Sequence, residues 1–269
     1  MAQSPDEKTY VEISFIEQLK AMGWEHIEGD IDVPYLTERE SFRDVLLADR
    51  LRRAIKKINL DDNGNSWLDD DRVNQVISAL KRISTPKLME ANKKAFELIV
   101  HGVEVEGDPL LHGGKEKTVA IIDFDNPEKN DFLVINQFRV DVPGGKIFIA
   151  PDIVLFVNGI PLVVVECKSP KISNPMEEGI SQLLRYSNQR PEVEEDEGCG
   201  KLFYYNQFLV SKFRQEARSA TVGAMYEHYM EWKDTSPIPM SEIAKSLEKE
   251  KLNSQEILIA GILWQKRCY

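Results

Sequence analysis

The sequence predicts an α/β fold, with a mixed central sheet flanked by helices and a helical N-terminal portion ahead of it. Three observations carry this. Up to about residue 100, apolar residues recur at helical spacing. From about residue 102 the texture changes to short β-like runs separated by Gly, Pro and Asn. One of those runs, "PLVVVECK", is almost continuously apolar, as suits a strand covered on both faces.

Taken in order, "YVEISFIEQLKAMGW" puts Val11, Phe15, Ile16 and Leu19 on one helical face and stops near Gly23. "SFRDVLLADRLRRAIKKIN" repeats Leu47, Leu51, Ala54, Ile55 and Ile58, and "LDDDRVNQVISALKRI" repeats Val73, Val76, Ile77 and Leu80. "KLMEANKKAFELIVHG" closes the helical part at Gly102. The basic run Arg50, Arg52, Arg53, Lys56 and Lys57 is interleaved with Asp44 and Asp49 and reads as a solvated face. Strands follow in "VEVEG", "KTVAIIDF", "DFLVINQFRVDV", "KIFIAPDIVLFV" and "PLVVVECK". A helix then runs from an Asn174 cap to about Arg190, with Pro175 at its first position and Glu177 three residues after the cap. "PEVEEDEG" reads as a solvated loop and "KLFYYNQFLVS" as a further strand. After the linker-like "DTSPIPM", "SEIAKSLEKEKLNSQEILIAGIL" reads as one last helix.

The bulk numbers exclude several classes. With 42% hydrophobic and 29% charged residues over 269 positions the chain is not disordered as a whole. No apolar run approaches the roughly 18 residues a membrane helix needs. The N-terminus is polar and acidic, without the apolar stretch of an export signal, so a cytoplasmic protein with no membrane partner is expected. A formal net charge of −11 argues against a broad basic face that grips nucleic acid unaided. Cys167, Cys199 and Cys268 are widely spaced, as are His26, His101, His112 and His228, so neither a disulfide framework nor a zinc site is predicted.

The chemistry concentrates in "PDIVLFVNGIPLVVVECKSP", residues 151–170. Strand alternation puts Glu166 and Lys168 on one face and Cys167 on the other. Asp152 lies on the preceding strand, and the turn decides whether it joins them. A strict two-residue Asn158-Gly159 loop sets Asp152 opposite Val165, whereas a three-residue loop or an equivalent bulge sets it opposite Glu166. In that second register the Cα atoms would be about 4.5 to 5.5 Å apart, and the carboxylates could share one ion. Hard oxygen ligands with room for water favour Mg²⁺, with Mn²⁺ as a substitute. Lys168 would then sit beside the metal, placed to handle an attacking water or to stabilise charge on a phosphate. On the following helix Gln182 and Tyr186, four apart, share a face, while Ile180, Leu183, Leu184 and Ser187 form the packing stripe.

Together, Asp152, Glu166-Cys167-Lys168 and Gln182-x3-Tyr186 resemble the PD-(D/E)xK nuclease superfamily. More closely, "NDFLVINQFRV", "APDIVLFVNGIPLVVVECKSP" and "QLLRYSNQRPE" are similar to the N-terminal endonuclease domain of the restriction (R) subunit of type I restriction-modification enzymes. The resemblance covers roughly residues 8 to 235. It implies a restriction-endonuclease-like core in which Asp152 and Glu166 ligate the metal, with the Cys167 carbonyl a candidate third ligand. Lys168 would be the catalytic lysine, Gln182 and Tyr186 the accessory DNA-binding motif, and Glu12 on the first helix a candidate additional acid. The implied activity is Mg²⁺-dependent hydrolysis of DNA. The implied partners are double-stranded DNA and, through the full-length subunit, the methyltransferase (M) and specificity (S) subunits. A non-catalytic docking module and a stand-alone repair nuclease of the same superfamily remain open. The expected organisation is a nuclease domain over 1–235, with a helical lead to about 100 and a catalytic core over 101–235, followed at 236–269 by a linker and the truncated start of a motor region. No GxxxxGK[ST] is present, since "HGGKEKT" has those letters in another order, so ATP is expected for the full-length subunit and not for this stretch.

Overall fold

The apolar faces marked by spacing meet on one sheet in the structure, a computed structural model that describes residues 7–144, 147–191, 193 and 197–263. The chain runs through α1 (Glu7–Ala21), β1 (Glu25–Glu28), α2 (Ala48–Ile58), α3 (Asp70–Lys81), α4 (Leu88–His101) and β2 (Val103–Glu106). It continues through the short α5 (Pro109–His112), β3 (Glu116–Val119), β4 (Phe132–Asn136), β5 (Val140–Asp141), β6 (Phe148–Ile149), β7 (Ile153–Val157) and β8 (Ile160–Lys168). Then come α6 (Pro175–Tyr186), the short α7 (Gly200–Phe203), β9 (Phe208–Phe213), β10 (Glu216–Ala220), α8 (Met240–Ser246) and α9 (Ser254–Ile262). Six strands form a mixed sheet in the order β1-β4-β7-β8-β9-β10, while β2-β3 and β5-β6 pair separately. The fold is therefore the expected mixed sheet flanked by helices.

Every residue of β8 is buried. Its face bearing Glu166 and Lys168 is covered by α6, whose Gly179 lies beside the Lys168 stem and so close to Ser211 of β9 that a side chain there would collide with it. Alternation turns Cys167 and its parallel neighbour Lys212 to the other face, where α1 and α9 pack. The buried Leu258, Ile259 and Ile262 of α9 join the same core as Phe15 and Leu19 of α1.

Several boundaries differ from the sequence reading, each for a local reason. The Asn174 side chain does not cap α6, because Asn174 is left-handed (φ 52°), although its carbonyl still accepts from Glu178 N at 3.0 Å. Helix α6 stops at Tyr186 rather than Arg190. Left-handed Asn188 donates to the Arg185 carbonyl and Gln189 to that of Leu184, a Schellman stop. The same motif splits the expected last helix in two: Glu248 is left-handed, and Lys249 N bonds Ala244 O. Helix α9 restarts from a capping box between Asn253 and Glu256. In "KLFYYNQFLVS" the first residues are helical and only the end is strand, and "KTVAIIDF" is strand only to Val119, its Ile121 and Ile122 being buried from a loop. The edge strands β1 and β10 went unseen because "EHIE" and "EARSA" are short and polar, as edges tend to be. Arg50 does not belong to a solvated face: it is buried and bonded to Glu25, Glu38 and Asp131. Half of the acidic "PEVEEDEG" loop, together with "WQKRCY" and its Cys268, lies outside the described residues, and no described helix is long and apolar enough to cross a membrane.

Candidate active site

The β7–β8 hairpin decides which residues meet. Its loop is the strict two-residue Asn158-Gly159, both left-handed (φ 52° and 78°), and it pairs Val157 with Ile160. By itself that loop would have put Asp152 and Glu166 on opposite faces. A bulge corrects it: Phe156 pairs with Pro161 but Leu155 with Val163, so Leu162 is extra. Beyond it Ile153 faces Val165, and one further step brings Asp152 across from Glu166. The turn is held from outside, since the Asn158 side chain bonds the backbone of Ile121 and Asp131, and Gly159 lies so close to the α2 backbone that a side chain would meet the Leu47 carbonyl.

All six candidate residues converge on this point. Asp152, Glu166, Lys168, Tyr186 and Glu12 are buried, and Gln182 is partly so. Asp152 Oδ2 accepts from the Cys167 backbone N–H at 2.7 Å. Lys168 Nζ donates to Glu166 Oε1 at 2.8 Å and to the Gln182 side-chain oxygen. Gln182 Nε2 donates to Tyr186 Oη at 2.5 Å, and the Tyr186 hydroxyl donates to the Ala150 carbonyl at 3.5 Å. Lysine, amide and phenol thus form one directed chain across the face of β8. Tyr186 is too buried to offer its ring as a platform for a base.

Two features went unread in the sequence. Gln137, just past β4, donates its backbone N–H to the Asp152 carbonyl at 2.9 Å, and its side-chain amide reaches Glu12 and Asp152. An Asn-Gln pair closing an apolar run was the signal, and polar residues at a strand end are common enough to hide it. Lys212 lies on the opposite face, fully buried. Its ammonium donates to the Val11 carbonyl of α1 at 2.8 Å and to Gln255 Oε1 of α9 at 2.5 Å. Burial lowers it to about 8.

The electrostatics single out Glu166. Burial, and then the Asp152 carboxylate beside it, push its pKa well above the usual carboxylate range, against the pull of Lys168. Its second oxygen, Oε2, is buried without a hydrogen-bond partner. Burial also drives the Tyr186 phenol up to about 12. An ionised, buried carboxylate oxygen with no donor is costly, and a proton or a cation between it and Asp152 would remove the cost. The oxygen donors match a hard divalent cation of the Mg²⁺ or Mn²⁺ kind. Among the described residues no group of three or more His, Cys, Asp or Glu side chains is gathered to hold a metal; the carboxylates here are a pair, with Glu12 behind the Gln137 amide.

Comparison with known proteins agrees with the resemblance. A family profile described as "Type I restriction enzyme R protein N terminus" matches residues 4–224. The chain is 30% identical over 270 residues to the "Putative type I restriction enzyme MjaIXP endonuclease subunit" of Methanocaldococcus jannaschii, covering 96% of this chain and 24% of that protein. It is 31% identical over 224 residues to the "Type I restriction enzyme HindI endonuclease subunit" of Haemophilus influenzae, covering 81% of this chain and 19% of that one. The chain thus spans at most about a quarter of the length of these relatives.

Proposed function

The chain belongs to the family of type I restriction enzyme R protein N termini, and on that premise we propose that it is the DNA-cleaving domain of such a subunit, hydrolysing phosphodiester bonds at the Asp152–Glu166–Lys168 cluster with Mg²⁺. The observation that carries the reading is the bulge-set pairing of two buried carboxylates that leaves Glu166 Oε2 unpartnered beside a lysine. Asp152 and Glu166 would hold the cation, which would supply Lewis acidity and an activated water. The remaining work belongs to the chain. The Cys167 N–H fixes one Asp152 oxygen, and the chain from Tyr186 through Gln182 fixes the Lys168 ammonium at Glu166. Lys168 spends two N–H groups on Glu166 and Gln182, leaving the third for a phosphate oxygen or the attacking water. On this reading the site is of the PD-(D/E)xK kind.

The net charge of −11 supports a domain that depends on other parts for its hold on DNA. In this reading ATP-driven movement, and contact with the methyltransferase and specificity subunits, belong to other parts of the full-length subunit. The nuclease domain is proposed to end near residue 235, with 236–269 a linker and the start of the motor region whose α9 folds back onto the nuclease core. The test is relaxation of supercoiled plasmid by micromolar chain with Mn²⁺ or Mg²⁺. Slow, divalent-dependent nicking that disappears in Asp152→Ala, Glu166→Ala and Lys168→Ala is expected. Nicking that survives all three substitutions, or that needs no divalent ion, would refute the assignment.

A further inference from the structure

We infer that Gln137 is a positioning residue of this site, whose side-chain amide joins Glu12 of α1 to Asp152 and fixes the distance between them. The inference rests on the nuclease reading and adds to it a residue and a role. Three independent features of Gln137 point the same way. Its Nε2 lies 3.4 and 3.3 Å from the two Glu12 oxygens and 3.4 Å from Asp152 Oδ1. Those are long bonds, as expected of one amide spanning two carboxylates that repel each other. Its backbone N–H holds the Asp152 carbonyl at 2.9 Å, so one residue grips Asp152 by main chain and side chain together. Its φ is +50°, a left-handed conformation that costs a glutamine free energy and that only glycine adopts freely.

The surroundings enforce that strain. Gly29 presses on the other side of the turn, donating to Asn136 O at 3.0 Å, and a side chain on Gly29 would collide with the Asn136 and Gln137 carbonyls. Phe138 N bonds Pro151 O at 3.2 Å. The turn is therefore clamped between β1 and the segment that carries Asp152. Helix α1 is pinned one residue before Glu12, where Val11 O accepts from buried Lys212. Both ends of the Glu12–Gln137–Asp152 connection are thus anchored to the sheet. A glycine would fold more comfortably at position 137, and what the glutamine adds is the amide between two acids. Donors that hold a ligating carboxylate set its orientation, and losing one typically costs about 10- to 100-fold in metal affinity.

The experiment is Mn²⁺ calorimetry on the full chain, with wild type, Asp152→Ala, Gln137→Met and Gln137→Gly, joined to thermal unfolding without metal. Wild type should bind Mn²⁺ and Asp152→Ala should not. Gln137→Met should bind about 10-fold more weakly or worse. Gln137→Gly should also bind more weakly while unfolding at the same or a higher temperature than wild type, because it loses the amide and the strain together. This opposition of affinity and stability is not expected of a residue that only supports the fold, and the glycine variant keeps the test decisive if the methionine variant is unstable. Affinities of both Gln137 variants within twofold of wild type, with Asp152→Ala inactive in binding, would overturn the role of Gln137 alone. No Mn²⁺ binding by wild type would overturn the metal-site reading and this inference with it.

Discussion

Two ion clusters, each built around a buried charge, stand at this sheet and are built on opposite principles. At one, Arg50 sends all three guanidinium nitrogens to Glu25, Glu38 and Asp131 at 2.7 to 3.1 Å. Despite the cost of burial its pKa rises, and its hydrogen bond lowers that of Glu25. Arg50 and Glu25 each strengthen the charge of the other. At the other cluster Lys168 pairs with Glu166 beside Asp152, the Glu166 pKa is driven up, and one of its oxygens has no donor. A saturated cluster locks β1, α2 and the start of β4 together. An unsaturated one, on the proposed reading, holds open a position for a cation the chain does not itself provide. The chemistry of buried charge, not its mere presence, separates a fastening from a site.

The largest way to break this comparison is Arg50→Met. It removes the shared donor of three partly exposed carboxylates and should cost about 3 to 4 kcal/mol in urea denaturation. A cost near zero would return Arg50 to the solvated face its spacing first suggested. Next in size is Lys212, a buried cation whose hydrogen bonds go to neutral oxygens. It titrates at about 8 when folded against an ordinary 10.5, so across that window the unfolded chain holds a proton the folded chain has released. Stability should therefore rise with pH between those values, by about 3 kcal/mol at about 1.4 kcal/mol per unit. The difference between wild-type and Lys212→Met stability curves should show that rise, and a flat difference would show that the ammonium is not desolvated. Smallest is Tyr186→Phe, which frees Gln182 Nε2 and should cost about 1 kcal/mol or less. It should slow plasmid nicking severalfold through a looser Lys168 while leaving Mn²⁺ affinity unchanged. A matching loss of Mn²⁺ affinity would place Tyr186 among the groups that shape the carboxylate pair.

Much of this was legible in the sequence because the signals were periodic or dense. The four long N-terminal helices announced themselves by apolar spacing, and "PLVVVECK" by its unbroken apolar run. Asp152, Glu166 and Lys168 were visible as charges at the ends of such runs. The register between them was not: the Asn158-Gly159 turn argued for the wrong pairing, and only the extra Leu162 restored the right one. Left-handed stops at Asn188 and Glu248 were also hidden, because neither residue is the glycine that usually marks such a place. Gln137, Lys212 and Arg50 depend on contacts more than a hundred, two hundred and eighty residues apart in the chain, which no local pattern records.

The most direct measurement of the central claim compares the stability of wild type and Glu166→Gln by denaturation at neutral pH, with and without Mn²⁺. The raised Glu166 pKa means that, as pH climbs past the ordinary carboxylate value, the unfolded chain ionises before the folded one, so the metal-free wild type loses stability there. Without metal the glutamine variant should then be the more stable, by about 1 kcal/mol. Saturating Mn²⁺ should reverse the order, adding about 3 kcal/mol to wild type at about a hundredfold excess over Kd and nothing to the variant. A wild type more stable than the variant without metal, and unmoved by Mn²⁺, would mean that Asp152, Glu166 and Lys168 form a second structural fastening like that of Arg50.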